Sequence, residues 1–222
     1  MAMSKIKICG LQTMPAIRVA FNLKVDFIGF VFVATSQRYI EPHLVRNFIE
    51  EEQRVSREFS PQIVGLFSDN SLNEVIDTIN NSKINMVQLC GTESPEFCLK
   101  LNIPIIKVIH VRENDTTETV RQKLQPYELI GVKICLDTYS KDQTGGTGQL
   151  FNWEIAEELS KLGHKFLVAG GLNSENVQFA IKKINPWGVD VSTGIETNRR
   201  KDSKKIKDFV KKTREILVKD CS

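Results

Sequence analysis

Cys9 and Asp137 are the side chains whose types and positions best suit proton transfer. Each closes a short apolar run, one ending Ile8-Cys9-Gly10 and the other Leu136-Asp137. A thiol and a carboxyl ionise in different pH ranges, so together they offer a base and an acid. A second group of residues suits anion binding. Gly170 and Gly171 follow one apolar run, and Ser192, Thr193 and Gly194 follow the next. Glycine lets backbone N–H groups approach a phosphate closely, and hydroxyls add donors. A third feature is Arg38, in the polar stretch Thr35-Ser36-Gln37-Arg38-Tyr39, whose planar guanidinium can grip a carboxylate. Each feature also has a plain structural reading. A strand-end cysteine can be inert packing, an aspartate a helix cap, Gly-Gly and Ser-Thr-Gly ordinary turns, and Arg38 a solvated loop residue.

What positions these residues is a regular alternation along the chain. Eight short apolar, β-branched runs lie at 5–9, 27–32, 63–67, 85–89, 103–109, 131–136, 165–169 and 188–191. Their starts are about 26 residues apart on average, the length of one strand–helix unit. Amphipathic helices are predicted between them over 41–59, 72–84, 117–124, 153–162 and 176–184, with a last one over 202–218. Ser71 and Asn173 stand where helix N-caps are expected. Strict βα alternation implies a parallel sheet with right-handed crossovers. Eight units point to a closed (βα)8 TIM barrel, an α/β fold spanning 1–222 as one domain, rather than an open doubly wound sheet. An open sheet usually carries its glycine-rich turn after the first strand, whereas here the glycines follow the sixth, seventh and eighth runs.

In such a barrel the strand ends surround one mouth, where active sites are built. Strands one and six lie three steps apart around the ring, so Cys9 and Asp137 would face each other across a ligand. The loops after strands seven and eight are the usual place for a phosphate.

Composition excludes several other classes. The chain has 222 residues, 41% hydrophobic and 26% charged, enough to bury a core without disulfides or a metal. Its five cysteines are odd in number and never spaced as C-x-x-C, so neither a disulfide framework nor a zinc site is expected. His43, His110 and His164 are scattered singly. The first ten residues, MAMSKIKICG, do not read as a signal peptide, and no run approaches the roughly 20 apolar residues of a membrane span. A cytoplasmic protein with no membrane partner is expected. Net charge is +3, but residues 199–222 hold ten Lys/Arg against four Asp/Glu. Nucleic-acid binding through that end is weighed and set aside. Ile206, Phe209, Val210, Thr213 and Leu217 form a docking stripe, which leaves the lysines on a solvated face.

Six segments, taken in order, resemble phosphoribosylanthranilate isomerase. They are KICGL (7–11), GFVF followed by SQRY (29–39), VQLCG with TESPEFC (87–98), LDTYSKDQTGGTGQLFNW (136–153), AGGLNSENV (169–177) and GVDVSTGIET (188–197). The resemblance implies an Amadori rearrangement of N-(5-phosphoribosyl)anthranilate in tryptophan biosynthesis, with no cofactor and no metal. By matching positions, Cys9 would be the general base and Asp137 the general acid. Arg38 would meet the anthranilate carboxylate and Asp190 would help position the substrate. The AGG and STG glycines, with Ser192 and Thr193, would hold the phosphate. The partner implied is thus a small phosphorylated molecule. Oligomeric state is left open, with a monomer as the expectation.

Chemistry fits these types. Asp137 must deliver a proton to the furanose oxygen, and partial desolvation would favour its protonated form. Cys9 must take the C2′ proton, which calls for a thiol brought down towards neutrality. Lys7, two residues earlier on the same strand face, is expected either to lower the Cys9 thiol or to pair with Asp190 on the adjacent eighth strand. Residues 145–148, Gly-Gly-Thr-Gly, suit a loop closing over substrate and lack the Gly-Lys-Ser/Thr ending of a P-loop. The chain departs from the family pattern at Cys90, where His is usual. It also departs at Gln37, at residues 11–14, and at Thr197-Asn198-Arg199-Arg200, where Pro-Gly is usual. Two other functions compete: a barrel that only binds a phosphorylated ligand, and a neighbouring phosphate-binding barrel enzyme working through lysines and glutamates, for which Lys107 is the candidate.

Overall fold

The computed structural model describes residues 4–55, 60–137 and 153–219. Eight parallel strands close into a barrel in the order β1 to β8: Lys5–Cys9, Phe27–Val31, Gln62–Phe67, Met86–Leu89, Ile105–His110, Lys133–Asp137, Phe166–Ala169 and Gly188–Val191. Closure is made by β1 against β8, with Lys7 opposite Asp190. The eight predicted runs coincide with these strands to within two residues at each end.

Alternation along each strand splits the apolar residues into two cores. Ile6 and Ile8 of β1 point outwards and join the large layer between barrel and helices. Cys9 points inwards with Phe27, Val31, Val64, Leu66, Met86, Ile106, Val108, Cys135 and Leu167, which fill the barrel. The interior is therefore plugged by side chains below the mouth, and strand-end residues are held on a solid floor.

The helices are α1 Met14–Asn22, α2 Pro42–Val55, α3 Leu72–Ser82, α4 Pro95–Leu99, α5 Thr117–Leu129, α6 Trp153–Lys161, α7 Val177–Ile184 and α8 Ser203–Lys219. Ser71 caps α3 in a reciprocal box with Glu74. Asn173 does not cap α7. Its side-chain oxygen accepts from the Glu175 and Asn176 N–H groups (2.8 and 3.1 Å) and closes the turn one step earlier. Two helices were not expected: α1, and the five-residue α4, which is too short for helical periodicity to show. Helix α5 runs five residues past its predicted end, with Pro126 in the last turn, where the missing N–H removes one bond only. In α8, Ile206, Phe209, Val210 and Thr213 are buried as the stripe requires.

The substituted last loop forms a small antiparallel hairpin, β9 Glu196–Thr197 and β10 Arg200–Lys201. Asn198 and Arg199 both take positive φ (51° and 63°), the geometry of a tight two-residue hairpin turn. This hairpin sets Lys201 directly opposite Glu196. Among the described residues no helix is long and apolar enough to cross a membrane.

Candidate active site

The strand ends enclose a cavity of about 450 Å³, within the usual range for small-molecule sites. Cys9 from β1 and Asp137 from β6 both line it, as do Arg38 and Asp190. Gly170, Gly171, Ser192 and Thr193 line the same cavity, so the proton-transfer residues and the candidate phosphate loops share one space. Gly194 is not among the lining residues. A Cβ there would sit 1.9 Å from the Leu172 carbonyl oxygen, so glycine at 194 lets the loop after β8 pack against the loop after β7. Residues 145–148 lie outside the described residues.

Both expectations for Lys7 hold in part. Its ammonium donates to Asp190 Oδ2 at 2.9 Å across the β1–β8 seam, and it is wholly buried. Burial alone would lower its pKa, but the facing Asp190 carboxylate, together with Cys9 and Cys135, outweighs this and raises it. Lys7 Nζ and Cys9 Sγ both approach Gly29, each 3.2 Å from where its Cβ would be, so any side chain at 29 would separate them. Lys7 does favour the Cys9 thiolate, as does Lys201. Burial is the larger influence, however, and with Asp190 it leaves the thiol above its ordinary value. The expected net lowering is therefore absent in the ligand-free site, because desolvation outweighs the nearby ammonium groups.

Arg38 reaches the cavity already engaged. Its Nε and Nη2 donate to the two Glu196 oxygens at 2.7 and 2.8 Å. Lys201 Nζ donates to Glu196 Oε1 at 2.6 Å and to the Ser192 carbonyl and hydroxyl oxygens at 2.9 and 3.1 Å. Burial works against the Glu196 carboxylate, yet Arg38 and Lys201 together hold it down at about 2. Glu196 and Lys201 carry no expected role from sequence, although Glu196 lies within GVDVSTGIET. Their only available sign was the departure at 197–200, whose hairpin brings them together.

His110 was also missed, because it falls one residue past the predicted fifth run. Its Nδ1 lies 3.5 Å from Asp137 Oδ2 and its Nε2 lies 2.9 Å from the Cys90 carbonyl oxygen. An imidazole thus does stand at this rim, delivered by β5 rather than by position 90. The Cys90 thiol is pushed up to about 12 by burial. Asp137 is about 30% exposed, less enclosed than a desolvated acid was expected to be. Among the described residues, two lining side chains carry buried oxygens without a hydrogen-bond partner, Gln88 Oε1 and Asp190 Oδ1. A buried acceptor left unpaired costs about 1–3 kcal/mol, which a ligand hydroxyl in the cavity would offset.

Lys107, the candidate for lysine-based chemistry, takes no part. It alternates with inward-facing Ile106 and Val108, so it points into the helix layer. There it binds Glu93 (2.8 Å) and the Gly91 carbonyl (2.6 Å), with both charged groups buried.

Comparison with known proteins agrees with this geometry. The family model for N-(5'phosphoribosyl)anthranilate (PRA) isomerase matches residues 6–212. The N-(5'-phosphoribosyl)anthranilate isomerase of Dehalococcoides mccartyi is 38% identical over 220 residues, covering 96% of this chain and 97% of that protein. The one from Trichlorobacter lovleyi is 37% identical, covering 97% and 100%. Phosphoribosyl anthranilate isomerase from Thermotoga maritima superposes with a TM-score of 0.82 at 31% identity, covering 96% of this chain and 100% of that one. A phosphoribosyl anthranilate isomerase solved with reduced 1-(o-carboxyphenylamino)-1-deoxyribulose 5-phosphate gives 0.74 at 30%, again covering 96% and 100%. With a closed eight-stranded barrel, a thiol and a carboxyl at one mouth, and relatives matched over nearly their whole length, this chain belongs to the N-(5'-phosphoribosyl)anthranilate isomerase family.

Proposed function

We propose that this chain is a single-domain cytoplasmic enzyme that converts N-(5-phosphoribosyl)anthranilate into 1-(2-carboxyphenylamino)-1-deoxyribulose 5-phosphate, in tryptophan biosynthesis. The observation that carries this reading is that Cys9 and Asp137, from strands three apart, border the same cavity as the Gly170-Gly171 and Ser192-Thr193 loops. Asp137 gives its proton to the furanose ring oxygen as the C1′–O bond breaks, and the anthranilate nitrogen supplies the electron pair that makes the protonated imine. The Cys9 thiolate then removes the C2′ proton, leaving an enol. The Cys9 thiol gives its proton to C1′ and returns to the thiolate, and loss of the enol hydroxyl proton to solvent gives the ketone. Every proton moved belongs to substrate, solvent or one of these two side chains, so the chemistry requires no redox cofactor.

The remaining residues hold the substrate still. The phosphate sits at Gly170, Gly171, Ser192 and Thr193, with Gly194 letting the two loops pack together behind them and Lys201 as the nearby cation. Glu196 takes the Nε side of Arg38, so the guanidinium presents its Nη1 end to the anthranilate carboxylate. Asp190 accepts from a ribose hydroxyl through its unpartnered oxygen. Purified protein should consume the fluorescent anthranilate substrate, and Cys9→Ala or Asp137→Asn should depress kcat by about 10²–10⁴. Binding of substrate without turnover would reduce the protein to a ligand-binding barrel. Near-native turnover in Asp137→Asn would remove the acid assignment.

A further inference from the structure

We infer that His110 is a positioning residue that links Asp137 to solvent and returns its proton between turnovers. The inference rests on the reaction proposed above. His110 ends β5 beside Asp137 at the end of β6, where the two residues pair across the ladder. Three observations converge on it. The imidazole lines the cavity. Its two nitrogens are directed at opposite partners, Nδ1 towards Asp137 Oδ2 and Nε2 towards the Cys90 carbonyl. Its side chain is about half exposed, at 52%, so it has one edge in the site and one in water.

The Cys90 carbonyl can only accept, which fixes a proton on Nε2 and leaves Nδ1 as the nitrogen that gains and loses one. In each turnover Asp137 gives its proton to the ring oxygen and is left as a carboxylate. The Nδ1 proton of the His110 imidazolium then passes to Asp137 Oδ2. This forms the carboxylic acid and a neutral imidazole that keeps its Nε2–H on Cys90. A hydronium ion or buffer acid reprotonates Nδ1, matching the enol proton released to solvent. At 3.5 Å the apo contact is long for this transfer, as apo contacts of this kind often are before ligand closes the site.

Among the described residues the charged group that faces the imidazole is Asp137 from β6; Lys107 of β5 acts on it only at a distance, from the helix layer where Glu93 holds it. Hydrogen bonding to Asp137 is the largest influence and raises the His110 pKa, with burial and Lys107 opposing. The imidazolium therefore persists to higher pH than an unperturbed imidazole would, and is lost as pH rises further.

The test is the pH dependence of steady-state kcat, which contains the return step that a single turnover omits. In the wild-type chain the rate should fall on the alkaline side as His110 deprotonates. His110→Gln, which keeps a donor for Cys90, should be slower by about 10- to 100-fold and lack that fall. His110→Gly should be partly restored by added imidazole. A wild-type rate and profile in His110→Gln would overturn the inference. So would a loss that is independent of pH and unrescued by imidazole, since a purely structural role would look like that. If neither variant folds, NMR titration of the wild-type imidazole decides. Its midpoint should drop in Asp137→Asn, and an unmoved midpoint refutes the link. Failure of the wild-type chain to turn over substrate would instead sink the proposed reaction.

Discussion

Lys7→Met isolates the charge that makes a buried thiol usable as a base. In the native site Lys7 Nζ and Cys9 Sγ flank Gly29, each 3.2 Å from the position of its absent Cβ. They are therefore no more than about 6 Å apart, where an ammonium and a thiolate attract by roughly 2–3 kcal/mol at an effective dielectric constant near 20. That corresponds to about two pH units on the thiol. Removing the ammonium also exposes Cys9 to the Asp190 carboxylate, which works in the same direction. The Cys9 midpoint should thus rise by one to two pH units, roughly, and activity at neutral pH should fall by about 10- to 100-fold, recovering as pH is raised. The assay is the pH dependence of Cys9 alkylation, read by peptide mass spectrometry so that Cys90, Cys98, Cys135 and Cys221 do not contribute. Asp190→Asn should move the midpoint the other way. A Cys9 midpoint unchanged in Lys7→Met would refute the electrostatic argument and leave Lys7 as a barrel-filling partner of Asp190. Stability must be followed in parallel, because stripping one member from a buried pair costs about 3–5 kcal/mol. For a chain of this size that is a Tm lower by roughly 6–20 °C.

Three further outcomes are expected. Arg38→Ala should mainly raise KM, and an analogue lacking the anthranilate carboxylate should bind both proteins alike; a kcat-only effect would place Arg38 elsewhere in the reaction. Glu196→Gln should change acid stability. The folded carboxylate is held near 2 against an ordinary 4.5, so its contribution is complete above about pH 4.5 and is lost as pH falls towards 2. The wild-type chain should lose about 3 kcal/mol across that window in urea titrations, and the variant should not. Gly194→Ala should lower Tm and raise KM for the phosphorylated substrate. Its methyl would meet the Leu172 carbonyl at 1.9 Å and push the two phosphate-side loops apart, at a cost of about 1–3 kcal/mol. Unchanged Tm and KM there would show that the loops can separate freely.

Sequence alone determined which faces of the strands look inwards. With a period of two, placing Ile6 and Ile8 in the outer layer forces Lys7 and Cys9 into the barrel, and the run ending at Leu136 forces Asp137 to the mouth. The eightfold βα alternation then fixed the ring order, and with it the approach of residues 9, 137, 170, 171, 190, 192 and 193 to one cavity. What it could not determine depends on closure and on loop shape. Glu196, Lys201 and Arg38 meet only because Asn198 and Arg199 turn a hairpin over the rim. His110 meets Asp137 only because β5 extends one residue further than its apolar pattern. The balance at Cys9 was likewise out of reach. Spacing can place an ammonium beside a thiol, but only packing sets how much water both groups lose, and that loss outweighs the attraction.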